Sequence, residues 1–358
     1  FTESSPDLDL KAEYVGVTSV NLTWEVNDTA SNSHTYRIEV VSGTSVRNLT
    51  SDVTKALITK LIPGTMYNFT VFAVATDGQM EGGGVSISLY TKPSPVLDLK
   101  AEYVGVTSVS LAWAVNDTAS DSYTYRIEVV SGTSVRNLTS NVTETEITEL
   151  IPGTTYDFIV FAVVNDGQTE GEGLSVSLYT KPSAIHDLKA EYVGVTSVNL
   201  TWEVNDTASN SYTYMIEVVN GTSVWNLTSN VTKTEITELI PGTMYSFTVF
   251  AVATDGQTEG EGVSISLYTK PSAIHDLKAE YVGVTSVNLT WEVNDTASNS
   301  YTYRIEVVNG TSVWNLTSSV TKTEITELIP GTMYSFTVFA VANDDQTEGE
   351  GVSISLYT

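Results

Sequence analysis

The feature of this chain that most constrains its fold is a unit of 89 residues that occurs four times in succession. One tryptophan and one Leu-Ile-Pro-Gly-Thr motif mark each unit at this spacing. The marker residues are Trp24, Trp113, Trp202 and Trp291, with Pro63, Pro152, Pro241 and Pro330. The spacing is too long for a helical solenoid repeat and is typical of a small domain that folds independently. We therefore predict four tandem domains, at residues 5–93, 94–182, 183–271 and 272–358.

Within each unit the apolar residues alternate with polar ones, as Val20, Leu22 and Trp24 do in the first. A period of two over short segments rich in Val, Ile, Thr and Tyr indicates β-strands with one buried face. Clusters of Asp, Asn, Gly and Ser separate about seven such segments in each unit. No window has the 3.6-residue period of an amphipathic helix. We predict an all-β protein of four seven-stranded, immunoglobulin-like β-sandwiches.

Charge and composition exclude some classes of partner. The chain has 358 residues, 43 Asp and Glu against 16 Lys and Arg, and a formal net charge of −27. Binding to nucleic acid needs clustered cations, so we predict no nucleic acid partner. The chain has no cysteine, which fits a cytosolic protein or an extracellular fold without disulfides. No apolar run approaches the roughly 20 residues that span a bilayer, so we expect no membrane insertion here and an internal piece of a longer protein.

Short segments that contain proline join the units, as in Thr91–Lys92–Pro93–Ser94. Proline restricts its own backbone and that of the residue before it, and the junctions have no glycine-rich spacer. We therefore expect consecutive domains to stack end to end with limited bending. With strands of roughly 25 Å, four units would form an elongated rod on the order of 120 Å long.

Three features of each unit carry a resemblance to a known family. In the first unit they are Trp24 on the second strand, Tyr36 on the third, and the LIPGTMY motif from Leu61 to Tyr67 before the sixth. This set resembles the fibronectin type III module, and the resemblance covers nearly the whole chain. The NDTAS segment before a TYRIEV strand and the TKPS junctions are similar to the ectodomain repeats of receptor-type tyrosine phosphatases of the eta, or density-enhanced, kind.

The resemblance implies a membrane receptor with an extracellular repeat stalk, one transmembrane helix and a cytoplasmic phosphatase domain. A tyrosine phosphatase needs a cysteine nucleophile, which this chain lacks, so the segment is expected to be non-catalytic. Further repeats and the transmembrane helix would lie outside it. We expect the four tryptophans to be structural, and likewise the motif tyrosines, which should hydrogen-bond to backbone and fix a corner of the sandwich. Those tyrosines are Tyr67, Tyr156, Tyr245 and Tyr334.

Asn-x-Ser/Thr sequons are the strongest functional signal in the sequence. Sixteen of the 21 asparagines lie in sequons, a larger share than a chain rich in Ser and Thr would reach by chance. Asn21 and Asn68 alternate with core positions, so they should face outward, where a glycan fits. This density predicts an N-glycosylated extracellular protein. The candidate acceptors are Asn21, Asn27, Asn48, Asn68, Asn116, Asn137, Asn141, Asn199, Asn205, Asn220, Asn226, Asn230, Asn288, Asn294, Asn309 and Asn315.

Other candidate sites give weaker signals. His34, His186 and His275 are isolated in the sequence, and the acidic residues lack the spacing of a calcium loop. We therefore predict no metal, cofactor-binding or catalytic site. The loop after the sixth strand has no Arg-Gly-Asp motif and is interpreted as a hairpin turn. Trp225 and Trp314, which replace arginines of the first two units, fit either an interface anchor or a residue beneath a glycan.

Together these features predict a heavily N-glycosylated, non-catalytic extracellular stalk of a receptor-type tyrosine phosphatase, located at the cell surface. Its partner would be an extracellular protein ligand or a neighbouring receptor, and its role would be recognition and spacing between membranes. The alternative is a secreted or matrix adhesive protein built of the same modules. A third interpretation, a carbohydrate-active protein with these modules as spacers, needs a catalytic domain outside this chain.

Overall fold

A computed structural model of the chain describes residues 8–26, 34–75 and 80–358. The sequon residue Asn27 lies outside these ranges, and the side chain of His34 is also outside the described part. Internal contacts divide the chain into two compact units. Unit 1 comprises Phe1–Leu150 with Thr154–Thr180, and unit 2 comprises Ile151–Gly153 with Lys181–Thr358.

Within the described ranges each repeat contains seven strands, numbered β1 to β28 along the chain. Repeat 1 has β1 Leu8–Gly16, β2 Ser19–Val26, β3 His34–Ser42, β4 Ser45–Ser51, β5 Lys55–Ile58, β6 Met66–Ala75 and β7 Val85–Tyr90. Repeat 2 has β8 Leu97–Val104, β9 Val109–Ala114, β10 Thr124–Ser131, β11 Ser134–Ser140, β12 Glu144–Ile147, β13 Thr155–Val163 and β14 Leu174–Tyr179. Repeat 3 has β15 His186–Tyr192, β16 Val198–Glu203, β17 Thr213–Asn220, β18 Ser223–Ser229, β19 Lys233–Ile236, β20 Met244–Val252 and β21 Val263–Tyr268. Repeat 4 has β22 His275–Gly283, β23 Ser286–Glu292, β24 Thr302–Asn309, β25 Ser312–Ser318, β26 Lys322–Ile325, β27 Met333–Val341 and β28 Val352–Tyr357.

The strands of each repeat form two antiparallel sheets around one core. In repeat 1 the three-stranded sheet has the order β1-β2-β5 and the four-stranded sheet β4-β3-β6-β7, and the other repeats follow the same order. The alternation of the sequence decides which residues face inward. On β2, Val20, Leu22 and Trp24 are buried, whereas Asn21 and Thr23 between them are not. The prediction of an all-β chain of seven-stranded sandwiches is confirmed.

A tryptophan and a tyrosine connect the two sheets of every repeat. The rings of Trp24 on β2 and Tyr36 on β3 meet edge to face with their centroids 5.1 Å apart, and each side chain is 2% exposed. The equivalent pairs of the other repeats have centroid distances of 5.2 or 5.3 Å. Such a pair contributes about 0.5–1.5 kcal/mol beyond the apolar area that it buries.

The motif tyrosine fixes the chain where it enters the sixth strand. Tyr67, the second residue of β6, is 7% exposed, and its hydroxyl oxygen accepts a hydrogen bond of 3.0 Å from the backbone N–H of Ile62. Tyr156 is equally buried. In repeats 3 and 4 the same bond joins Ile240 to Tyr245 at 3.0 Å and Ile329 to Tyr334 at 3.1 Å.

We expect Tyr67→Phe to lower the stability of repeat 1 by about 1–3 kcal/mol, because the Ile62 N–H would keep its place in a part-buried turn without its acceptor. The measurement is the melting temperature of the full chain by calorimetry. Tyr14→Phe is the matched control, since the Tyr14 hydroxyl donates to a carbonyl from a side chain that is 42% exposed. Equal melting curves for the two variants would contradict the role of the corner bond.

Within unit 1, repeats 1 and 2 meet through a group that we call the junction clasp. The Asp117 carboxylate accepts hydrogen bonds from the Ser94 backbone N–H at 2.8 Å and from the Tyr123 hydroxyl at 2.9 Å. Burial and the Asp117 carboxylate raise the pKa of Tyr123, so the hydroxyl stays protonated and donates. Its ring lies against Gly64, where an added Cβ would be 1.6 Å from the Tyr123 hydroxyl oxygen.

Unit 2 contains the same clasp between repeats 3 and 4. Asp295 accepts from the Ser272 N–H at 2.8 Å and from the Tyr301 hydroxyl at 2.8 Å. The Tyr301 hydroxyl oxygen also lies 3.1 Å from the carbonyl oxygen of Pro241. An added Cβ on Gly242, whose φ is +62°, would lie 2.0 Å from the tyrosine oxygen. The clasp therefore requires glycine at this place in the Leu-Ile-Pro-Gly motif.

Candidate functional site

One group of sequon asparagines lies on the central strand of the three-stranded sheet. Asn21, Asn199 and Asn288 occupy β2, β16 and β23 between two buried core residues, so their side chains point away from the core. Asn199 is exposed and the other two are half-buried. The outer face of this sheet thus presents one candidate acceptor in repeats 1, 3 and 4.

A second group lies on the edge strand of the four-stranded sheet. Its members are exposed and occupy equivalent positions on β4, β11, β18 and β25. They are Asn48, Asn137, Asn226 and Asn315. An unpaired edge offers backbone N–H and C=O groups to other strands, and a glycan on such a strand would obstruct that pairing.

An arginine on the neighbouring strand holds the amide oxygen of this asparagine in three repeats. Arg37 donates from Nη1 to Asn48 Oδ1 at 3.0 Å and from Nε to Glu81 Oε1 at 2.5 Å, and its guanidinium lies 4.0 Å from the centroid of the Phe72 ring. Arg126 and Arg304 make equivalent contacts in repeats 2 and 4. The bond to asparagine engages its oxygen and not the nitrogen to which a glycan attaches.

The remaining sequon asparagines lie on loops, at strand ends or, in the case of Asn68, within a strand. Asn68 on β6 is half-buried, and its Oδ1 accepts from the Ser88 hydroxyl at 3.1 Å. Five others are exposed: Asn116, Asn141, Asn205, Asn230 and Asn294. Asn220 and Asn309, at the ends of β17 and β24, are half-buried. Among the residues that the structure describes, no sequon asparagine is buried.

Trp225 and Trp314 lie on the same edge strand as the second group of sequons. Each side chain is 37% exposed, and the ring of Trp225 meets that of Tyr245 edge to face with the centroids 6.1 Å apart. In repeat 1 the equivalent residue is Arg47, which donates from Nη2 to the Thr59 carbonyl at 2.9 Å. The tryptophan therefore covers the corner tyrosine and leaves part of its own ring open to solvent.

Two of the three histidines, which are isolated from one another in the sequence, have acidic neighbours in the structure. Nδ1 of His186 lies 3.0 Å from Oδ2 of Asp187, and Glu203 is close to both. His275 has the same neighbours in repeat 4. The hydrogen bond to Asp187 raises the pKa of His186 above its usual value. Strict alternation would send adjacent residues to opposite faces of a strand, so a search based on that period misses this cluster.

The aspartate Asp166 in the loop after the sixth strand of repeat 2 stabilises the loop itself. The Asp166 carboxylate accepts from the backbone N–H groups of Gln168 and Thr169, both at 2.8 Å, and from the Thr169 hydroxyl at 2.6 Å. An aspartate used in this way closes a local turn.

Across the described ranges, no helix is long and apolar enough to cross a bilayer.

Comparison with known proteins gives a family and several relatives. The sequence profile of the Fibronectin type III domain family matches residues 4–86, 93–177, 182–266 and 271–354. Receptor-type tyrosine-protein phosphatase eta of Gallus gallus is 71% identical over all of this chain and 25% of its own length. The Mus musculus protein of that name is 33% identical over 97% of this chain and 28% of its own length. This chain therefore spans about a quarter of the length of these two relatives.

The two-domain fibronectin type III segment from chicken tenascin is a solved structure that resembles this chain. It is 20% identical, covers 49% of this chain and 99% of the segment, and has a TM-score of 0.38.

Proposed function

The chain belongs to the fibronectin type III domain family, and from that premise we propose that it is a glycosylated, non-catalytic stalk in the extracellular region of a receptor-type tyrosine phosphatase. The full-length similarity to the eta phosphatase of Gallus gallus supports the receptor. The matched modules account for most of the chain, so the phosphatase chemistry of such a receptor belongs to another part of it.

The outward placement of the described sequon asparagines carries the proposal. They lie on both sheets, on loops and on an edge strand, and none of them points into a core. Glycans attached there would cover the sheet faces and obstruct pairing along the edge strands β4, β11, β18 and β25. The formal net charge of −27 adds repulsion between neighbouring copies. The surface is thus suited to a stalk that stays separate from its neighbours.

We further propose that the stalk sets the distance between its membrane and a facing surface, and meets an extracellular ligand or neighbouring receptor through its loops. The junction clasps hold adjacent repeats within each unit, because an aspartate of the later repeat bonds the linker backbone. Tandem modules that are held in this way act as a spacer, whereas a flexible linker would let them fold back on one another.

Glycopeptide mass spectrometry of the chain secreted from vertebrate cells tests the glycan assignment. We expect glycans at most of the described sequons, including the edge-strand residues Asn48 and Asn137. Asn210, which is exposed but outside a sequon, is the matched control and should be unmodified. If most of these sequons carry no glycan, the proposal that glycans cover the sheet faces and edge strands is wrong.

The spacing role is tested in the full-length receptor by deleting repeats 3 and 4 together. We expect the shortened receptor to enter close cell contacts from which the full receptor is excluded, as seen by fluorescence microscopy. Exclusion that does not depend on repeat number would overturn this role. A secreted or matrix adhesive protein, the alternative function, would instead be found in the medium and not at the cell surface.

A further inference from the structure

Repeats 3 and 4 each carry one histidine and two carboxylates at the same place on the three-stranded sheet. In repeat 3 these are His186 and Asp187 on β15 and Glu203 on β16, and we call them the His-Asp-Glu cluster. One candidate ligand atom of each side chain lies within 4.8 Å of the others. Repeat 4 has the same cluster, formed by His275, Asp276 and Glu292.

A bulge in the edge strand brings the three side chains together. His186 pairs directly with Glu203 across the strands, and the register then shifts between His186 and Lys189. Asp187 within this bulge has φ +51°, a left-handed conformation that is uncommon for residues other than glycine. The shift cancels the usual alternation, so the Asp187 carboxylate comes to the same side as the imidazole. Residues that are adjacent in sequence thereby become neighbours at one site.

The donor set selects a class of metal ion. An imidazole nitrogen with two carboxylate oxygens is a ligand combination of Zn²⁺, whereas Ca²⁺ requires six or more oxygen ligands. Two of the three ligands lie on β15, an edge strand, and these His186 and Asp187 side chains are 38% and 62% exposed. An ion held there would have three protein ligands and an accessible fourth position, which water or a side chain of a partner can fill.

The second ring nitrogen of the histidine is free to carry the proton of a metal-bound imidazole. Nε2 of His186 is buried and has no hydrogen-bond partner within the described ranges. The Asn205 side chain lies near the ring and, after Asp187, helps to raise the pKa of His186. A histidine that binds metal through Nδ1 carries its proton on Nε2 and usually donates it to an oxygen. The Asn205 side chain is the candidate acceptor in repeat 3, and the Asn294 side chain is the candidate in repeat 4.

We propose that each His-Asp-Glu cluster binds one Zn²⁺ ion, so that the chain holds two, one in repeat 3 and one in repeat 4. Repeat 2 provides a natural comparison. Repeat 2 has the same left-handed aspartate, Asp98 with φ +52°, but Leu97 and Ala114 stand where the histidine and glutamate would be. The bulge therefore exists without the ligands, and repeat 2 should bind no ion.

Isothermal titration of the full chain with zinc chloride tests the proposal. We expect two ions per chain for the unmodified protein, one for His186→Gln and none for the double variant His186→Gln with His275→Gln. His34→Gln is the matched control and should leave two. Circular dichroism of each variant verifies the fold, and the exposed position of the cluster predicts unchanged spectra.

Competition with calcium tests which class of ion the cluster binds. A hundredfold excess of calcium chloride should leave the zinc isotherm unchanged, because two carboxylates on one edge cannot complete a calcium shell. Zinc binding that survives the double variant would overturn the proposal, and so would its displacement by calcium. The proposal would also be overturned if titration of the unmodified chain with zinc chloride gave no heat of binding.

Discussion

Replacing Gly242 with alanine is expected to disrupt the clasp between repeats 3 and 4 in unit 2. The left-handed backbone alone costs an alanine about 1–2 kcal/mol. The added Cβ would also lie 2.0 Å from the hydroxyl oxygen of Tyr301, a side chain that is only 3% exposed. Displacing a packed ring in this way typically costs a further 1–3 kcal/mol. The backbone amides of the peptide that begins at Tyr301 should exchange hydrogen faster. Arg304 in this peptide distinguishes it from the equivalent peptide of repeat 3.

Gly331 is the matched control for this prediction. It is the equivalent residue of the motif in repeat 4, with φ +69°, and an added Cβ there meets no atom within 4 Å among the described residues. Gly331→Ala should therefore lower stability only by the free energy of placing alanine in a left-handed backbone conformation. In a Tyr301→Ala background, Gly242→Ala should cost no more than Gly331→Ala. If the two glycine variants behave alike in the unmodified chain, the clasp does not depend on this close approach.

Trp202→Ala is expected to destabilise repeat 3 by about 3–5 kcal/mol, because it removes the largest side chain of a well-packed core. Trp202 is 3% exposed, and its ring meets Tyr214 with the centroids 5.3 Å apart. A domain of this size is stable by about 5–15 kcal/mol, so the variant repeat should open far more often. Hydrogen exchange of the β17 peptide, which Met215 marks as belonging to repeat 3, measures the change.

The same repeat offers a control of the same residue type. Trp225 is 37% exposed and contacts Tyr245 through one ring edge, so Trp225→Ala should cost only about 0.5–1.5 kcal/mol. The β10 peptide of repeat 2 should exchange at the same rate in both variants. If Trp202→Ala and Trp225→Ala lowered the stability of repeat 3 by comparable amounts, the assignment of Trp202 to the core would be contradicted.

The fold could be predicted from the sequence because two independent periods agree. Alternation along a strand such as β2 assigns the buried face, and the 89-residue spacing of Trp24 and its counterparts counts the domains. Both signals are local or exactly repeated, so they need no knowledge of contacts between distant residues. The outward direction of Asn21 and Asn68 could be predicted in the same way, because each lies between two core residues of an alternating strand.

The clasp and the His-Asp-Glu cluster could not be predicted in this way. The clasp joins Tyr301 to Pro241, 60 residues earlier, and no periodic pattern connects them. The cluster depends on a bulge at Asp187, which reverses the direction that alternation assigns. A His-Asp pair on an edge strand opposite a glutamate is the only sequence signal, and it becomes informative once the strand pairing is known.

The clasp also has a consequence for how such a chain can change over generations. Its two halves lie on opposite sides of the boundary between repeats 1 and 2 and of that between repeats 3 and 4: Gly64 or Gly242 belongs to the earlier repeat, and the aspartate and tyrosine belong to the later one. A gene duplication that copies one whole repeat therefore copies a complete set of both halves. The new repeat fits after its parent without compensating mutations, since a head-to-tail contact of this kind does not close on itself. The near identity of repeats 3 and 4 is what recent growth by this route would leave behind.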